Sequence, residues 1–358
     1  MRRRALILLT LLLGACTTAP AGPAWIRLGL PGAPNADLRA IADCDGRFYL
    51  VGGHVDDEGD TRPAGWTSAD AISWEPVGFD PLPTSQYGPQ NVISAVACAA
   101  GRVVMLGSAR GGAHGNPRVS TWHRLPNGRM AENAAPFETY GGDTAVDVAH
   151  LAAGPRGFAI AGNRSSGAAA WLSPDGTGFT LFENAPGLAS TAAAPTAARD
   201  AVALPDGRWL VIGSRGNRAA AWTSHDGRRW HLSTPPGPDA PPPGSTAPPA
   251  GSEWSEMQRA VVIDGTVVAA GPRGTSFATW RLRDDTWTEE PSFGGAPSGV
   301  QSLAAVSGQL VLAGGGLWIA ADGRTWRQRT TPETPVAATG RDDILLVVTA
   351  GAAYRSVF

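Results

Sequence analysis

One pattern recurs along the whole chain and limits its folds more than any other feature. A short apolar run opened and closed by glycine stands at Gly46–Gly52, Gly101–Gly107, Gly207–Gly213, Gly265–Gly271 and Gly308–Gly314. Weaker copies end at Gly162 (RGFAIAG) and Gly351 (DILLVVTAG), which makes seven. Each run is aliphatic or β-branched and bounded by turn residues, the pattern of a buried strand. Self-similarity at a spacing of 37 to 58 residues means an array of like structural units rather than one irregular core.

The neighbours of each run recur as well. An aromatic residue, a turn and usually a second aromatic follow it: Trp66 and Trp74, Trp171 and Phe179, Trp222 and Trp230, Trp318 and Trp326 are eight apart, Trp280 and Trp287 seven. Between them stand Asp175-Gly176, Asp226-Gly227 and Asp322-Gly323, with Asp70-Ala71 and Asp284-Asp285 as variants. The second unit keeps the turn at Asn127-Gly128 and carries Met130 in place of the aromatic. Asp-Gly between two strands predicts a tight hairpin in which both central residues tolerate positive φ. A further apolar segment precedes each run, as in Asp200–Leu204 and Gln301–Ala305, so every unit supplies four strands, a to d. The prediction is an all-β chain forming a β-propeller of seven four-stranded blades, rather than a sandwich. The last unit reaches only strand c, through Tyr354 and Phe358, while Ala24–Leu28 reads as a lone strand d at the other end. Pairing the termini closes the seventh blade and leaves no open sheet edge there.

The pattern Trp171-x-Ser173-x-Asp175-Gly176-x-x-Phe179, repeated at Trp222-x-Ser224-x-Asp226-Gly227-x-x-Trp230, resembles the Asp-box of bacterial neuraminidase repeats. It departs from that box by one residue, since Asp and Gly are adjacent here. The resemblance implies a folding device: Ser and Asp side chains hold the turn and the aromatic packs between blades. A repeated Asp of this kind is structural, not catalytic.

Arg2, Arg3 and Arg4 precede the nine-residue apolar run Ala5–Leu13, the layout of an export signal and too short to span a membrane. Leu13-Gly14-Ala15-Cys16 then resembles the bacterial lipobox, in which cleavage before the cysteine exposes it to acylation; an ordinary secretory signal is the alternative. Residues 1–15 are expected to be a signal peptide, 16–23 a lipidated tether starting at Cys16, and 24–358 a single propeller at the extracytoplasmic face of a membrane. Cys44 and Cys98 remain; an even count in an oxidising compartment suggests a disulfide, with two separate buried thiols as the alternative. The proline-rich stretch 234–251 is expected to be a surface insertion between blades 4 and 5; a linker between two domains would leave the ring unclosed.

Charge excludes more than it assigns. A net charge of −2 and only 17% charged residues argue against nucleic-acid binding. All 29 basic residues are arginine, which removes Schiff-base chemistry, a lysine general base and a P-loop lysine. No Gly-x-Ser-x-Gly, His-Glu-x-x-His or Gly-x-Gly-x-x-Gly motif occurs in a usable context. No cofactor and no metal site is expected. The acidic loop His54–Asp60 has oxygen ligands for Ca²⁺ but fits no known spacing, so a solvated loop is favoured.

Propellers bind ligands at the channel mouth where strand a begins. Arg39, Ser94, Asp200, Gln258 and Gln301 each stand seven residues before the opening glycine of a run, with His150 as the third unit's equivalent. They predict either a solvated channel rim or a specific pocket. Arg110, Arg164, Arg215 and Arg273 follow the closing glycines and could clamp an anion, although arginine is also this chain's sole basic residue for solvated loops. The expected function is a monomeric, membrane-anchored binding or scaffolding module whose partner is an anionic glycan or an envelope protein. The neuraminidase resemblance implies the alternative, a sialidase-type exo-glycosidase using those arginines with Tyr140 as nucleophile and Glu138 as its partner. Tyr87 lies on an equivalent loop, but the Phe-Arg-Ile-Pro segment of such enzymes is missing.

Overall fold

A computed structural model describes residues 24–32, 35–111, 117–235, 254–295 and 298–358. The export signal, Cys16 and most of the proline-rich stretch lie outside the described residues. Seven antiparallel sheets follow one another in chain order. Blade 1 spans residues 36–76, blade 2 residues 92–132, blade 3 residues 145–182 and blade 4 residues 196–233. Blades 5 and 6 span 259–289 and 302–329, and blade 7 takes strands a to c from 337–357. Its strand d is Ile26–Arg27, paired with Arg355 and Tyr354, so the predicted closure by the N-terminal segment holds. Trp25 Nε1 donates to the Thr330 carbonyl at 2.8 Å, Leu28 N–H to Ala353 at 2.9 Å, and the Arg329 guanidinium lies 4.7 Å from the Trp25 ring centre. Blade 2 carries one strand that the repeat does not predict: Phe79–Asp80 runs parallel to strand d, Met130–Glu132.

Seven hydrophobic clusters fill the seven gaps between neighbouring blades. Strand b is therefore apolar on both faces, which is why its sequence is a continuous apolar run rather than an alternation. The strand c tryptophans Trp66, Trp122, Trp171, Trp222 and Trp280 are each at most 2% exposed and supply the largest buried side chains in these gaps. Cys44 and Cys98 form a disulfide that ties strand a of blade 1 to strand a of blade 2, closing a loop of 54 residues. A cross-link of that span stabilises by roughly 4 kcal/mol in the chain-entropy account.

The predicted turn type is corrected by the structure. The Asp-Gly segments of blades 3, 4 and 6 are longer connections in which only the glycine has positive φ, as at Gly176, Gly227 and Gly323. The Ser173 hydroxyl accepts the Gly176 N–H at 2.8 Å, and the Asp175 carboxylate accepts the Thr177 N–H at 2.9 Å. Blade 4 repeats this with Ser224 and Asp226. Donation by the Thr177 N–H is the chief cause holding the Asp175 carboxyl below its usual range, and the Ser73 and Ile72 N–H groups hold Asp70 at about 2. Two-residue hairpins with both central φ positive occur instead at the a–b connections of blades 1, 2, 5 and 6, as at Asp45-Gly46, and once between strands c and d, at Asp284-Asp285.

The closing glycine of each run has a separate cause. In blades 1 to 4 strand a carries a β-bulge opposite it, between Leu38 and Ala40, Ile93 and Ala95, Val148 and His150, and Ala198 and Asp200. The bulge brings a strand a carbonyl against the glycine, so that a Cβ at Gly52 would collide with Asp37 O and one at Gly213 with Ala197 O. Gly213→Ala should therefore cost about 2 kcal/mol or more, whereas Gly178→Ala, with open space around it, should change little. Urea unfolding of the two variants against wild type checks this; equal stabilities would remove the close approach as the reason for the glycine.

Candidate functional site

The seven a strands line a central channel of about 570 Å³. In blades 1 to 4 the bulged residue of strand a is left without a ladder partner at the end where the b–c and d–a loops emerge; these are Arg39, Ser94, Ala149 and Arg199. In blades 5 to 7 the N–H groups of Gln258, Gln301 and Val336 make the corresponding bond to strand b. His150, Asp200 and Arg259 stand one position further along.

The register read from the sequence thus mixes two levels, with Arg39, Ser94, Gln258 and Gln301 on one and His150 and Asp200 on the next. The cause is the a–b turn. Its glycine lies inside the turn at Gly46 but after it at Gly157, and blade 4 inserts Leu204–Arg208 between the paired residues Ala203 and Trp209. Counting from the glycine therefore slips by one. In blade 5 the count keeps the register of blade 1 and lands on Gln258, so Arg259, one position further along, falls outside it.

Most of these polar groups tie blades together. Asp200 is 2% exposed; its carboxylate meets His150 Nδ1 of blade 3 at 2.7 Å and accepts the Ala260 N–H of blade 5 at 2.9 Å. Burial pushes the Asp200 carboxyl up, but the charges of His150 and Arg259 and the hydrogen bonds outweigh it, so its pKa lies below the ordinary 3.8. The Gln258 side chain accepts the Val300 N–H at 2.7 Å and donates to Glu256, and Arg259 Nε donates to the Gln301 carbonyl at 2.8 Å. Glu256 in turn takes Arg199 Nε at 3.0 Å and the Ser214 hydroxyl at 3.2 Å. Arg39, Ser94, His150 and Gln301 face the channel. Arg39 is held by Asp37 at 2.5 Å and is about half exposed, and Ser94 makes one long bond of 3.3 Å to Leu106 O.

The four loop arginines do not converge. Arg164 is buried against Glu183 at 3.1 Å and Thr144 at 2.7 Å, and Arg273 pairs with Glu289 of its own blade. Arg110 and Arg215 are exposed, and none of the four lines the channel. Tyr140 is 8% exposed, with its hydroxyl 3.3 Å from Thr121 Oγ1 and its ring tilted over Trp171. Burial pushes its phenol well above the usual value, the opposite of what a nucleophile needs. Glu138 is exposed on the same short helix, Phe137–Tyr140, and the Tyr140 hydroxyl bonds to Thr121 rather than to it. In the acidic loop the Asp56 carboxylate takes the Asp60 N–H at 2.8 Å, and among the described residues no three His, Cys, Asp or Glu gather as a metal site.

No family model and no curated protein matches the sequence. Solved structures do resemble it in shape. Virginiamycin B lyase from Staphylococcus aureus superposes with a TM-score of 0.58 at 12% identity, over 94% of this chain and 99% of that one. The computationally designed Ika8 protein gives 0.50 at 14% identity, over 93% and 98% of the two chains. Trypanosoma rangeli sialidase gives 0.49 at 13%, over 94% of this chain and 60% of the sialidase. The likeness is one of fold alone.

Asp200→Asn should cost roughly 2–3 kcal/mol by weakening a buried charged strap. A carboxyl whose folded pKa is depressed stabilises fully above the unfolded value and loses that stability as pH falls through the folded one. The gap between wild type and variant should hold at neutral pH and shrink steadily below about pH 4. Urea midpoints across that range test it, and a gap independent of pH would contradict the assignment.

Proposed function

We propose that the protein is an extracytoplasmic binding module, anchored to a membrane through acylated Cys16, that takes an acidic glycan at the open mouth of its channel. The observation that carries this reading is the set of side chains from four different blades that face one cavity: Arg39, Ser94 and Gln301, which are not used as blade straps, and His150, which reaches the same space while its Nδ1 meets Asp200. A guanidinium suits a sugar carboxylate, while a hydroxyl, an imidazole and an amide suit ring hydroxyls. The Asp37 carboxylate orients the Arg39 side chain towards the lumen without burying it. The buried Tyr140 and the blade-local pairing of Arg164 and Arg273 weigh against hydrolysis of a sialidase type.

The test is binding of residues 24–358 to an array of sialylated, uronate-containing and phosphorylated envelope glycans at low and moderate salt. Binding should weaken with salt. Arg39→Ala should lower affinity roughly tenfold or more, the worth of a charged hydrogen bond, with the unfolding midpoint unchanged. Absence of binding to every acidic glycan, or turnover of a fluorogenic sialoside, would overturn the reading. Anchoring is checked separately: Cys16→Ala should shift the full-length chain from the membrane fraction to the soluble fraction, and incorporation of labelled palmitate should disappear with it.

A further inference from the structure

A second cavity, of about 310 Å³, opens over the outer edge of blade 2 on the same face as the channel mouth. It lies between the loop before strand a of blade 2 and the loop that carries Tyr140, and it holds two charges of opposite sign that do not meet. Glu132, 7% exposed, closes strand d; its carboxylate accepts the Leu82 N–H at 3.0 Å and the hydroxyls of Ser85 at 2.8 Å and Ser120 at 2.7 Å. Those three bonds leave one of its roughly four lone-pair sites open. Among the described residues no cation pairs with it.

Arg118, two residues before Ser120 on strand c, places its guanidinium between two rings, 5.6 Å from Tyr87 and 4.6 Å from Phe137. Its Nε is buried without a hydrogen-bond partner, and among the described residues no carboxylate pairs with it. Buried or half-buried charges are ordinarily paired. Here a carboxylate and a guanidinium line one space; Ser120, which the carboxylate touches, and Arg118 stand two residues, about 7 Å, apart on strand c. The remaining walls mix hydroxyl and amide groups with an apolar side of Leu82, Val119, Pro136 and Phe137, the last exposed at the rim.

We propose that this cavity is a distinct binding site for a zwitterionic α-amino acid with an apolar side chain, its ammonium on Glu132 and its carboxylate on Arg118. One ligand then satisfies both unpaired groups, and its side chain lies against the aromatic wall. A neutral sugar would leave both charges uncompensated, and a simple anion would leave Glu132 so.

Calorimetry on residues 24–358 with leucine and phenylalanine, and with N-acetyl-leucine and leucinamide, decides it. The free amino acids should bind, and removal of either charge should weaken binding tenfold or more. Arg118→Gln should abolish binding of leucine while leaving the unfolding midpoint nearly unchanged, since among the described residues the Arg118 side chain makes no hydrogen bond and only lies against Tyr87 and Phe137. Glu132→Gln should also abolish leucine binding, and Arg39→Ala should leave it intact, which separates this site from the channel. No binding at about 10 mM ligand, or equal binding of leucine and its N-acetyl form, would overturn the proposal. So would binding of leucine that survives Arg118→Gln.

Discussion

Every sheet in this molecule is apolar on both faces, and no blade can bury itself. Phe48 and Leu50 pack towards blade 7, while Tyr49 and Val51 on the same strand pack towards blade 2. Each blade therefore needs two neighbours, and a linear stack would leave one apolar face bare at each end. The ring removes both ends at once. It closes through only two residues of strand d pairing, Ile26 and Arg27. The load passes instead to the side chains of that join: Arg341 of blade 7 donates to Ala69 O and lies 4.5 Å from the Phe48 ring in blade 1, and Trp66 Nε1 donates to Pro31 O in the lead-in segment.

The same ring geometry decides which polar groups remain for a ligand. Strand a must turn along a crowded axis, and the bulges that let it do so push one carbonyl against the closing glycine of strand b and leave one residue unpaired. Polar residues at these positions face two demands. Where neighbouring blades need a tie, the side chain is taken up by it, as with Asp200, Gln258 and Glu256. Where backbone pairing and apolar packing suffice, as around Arg39 and Ser94, the side chain points into the lumen. The channel thus mixes polar and apolar lining, and its chemistry towards a ligand comes from a minority of its polar residues.

Much of the architecture could be read directly from the chain because the repeat is a statement about neighbours. The count of seven, the four strands per blade and the terminal closure all follow from the period of the glycine-bounded runs. What escaped was set by lengths and contacts that the period does not encode. The a–b turn varies in length, so a count anchored on Gly157 or Gly207 lands one residue off the bulge. Arg164 and Arg273 look alike in sequence to Arg110 and Arg215, yet strand d offers Glu183 and Glu289 only to the first pair. Tyr140 reads as an accessible loop residue, but the short helix turns it inward onto Trp171.

The departures from the repeat are more informative about function than the repeat itself. A residue present in every blade is explained by what every blade needs, whereas a feature confined to one blade needs a cause of its own. Blade 2 concentrates such features. It replaces the second aromatic with Met130 and recruits Phe79–Asp80 as an extra strand, fastened by Arg129, whose hydrogen bonds hold the Asp80 carboxyl below its usual range. It also ends strand d on a buried carboxylate and is followed by a short helix, Phe137–Tyr140, that caps a cavity. Met130, Phe79 and Tyr140 join the packing around Trp122 and Trp171, whereas the two charges of the cavity do not. Glu132 adds the desolvation of a carboxylate that no guanidinium among the described residues offsets, and Arg118 leaves a buried N–H unsatisfied, both unfavourable in a domain selected for stability alone. A fold with six plainer blades had cheaper ways to finish the seventh, which places the reason for blade 2 in what it holds.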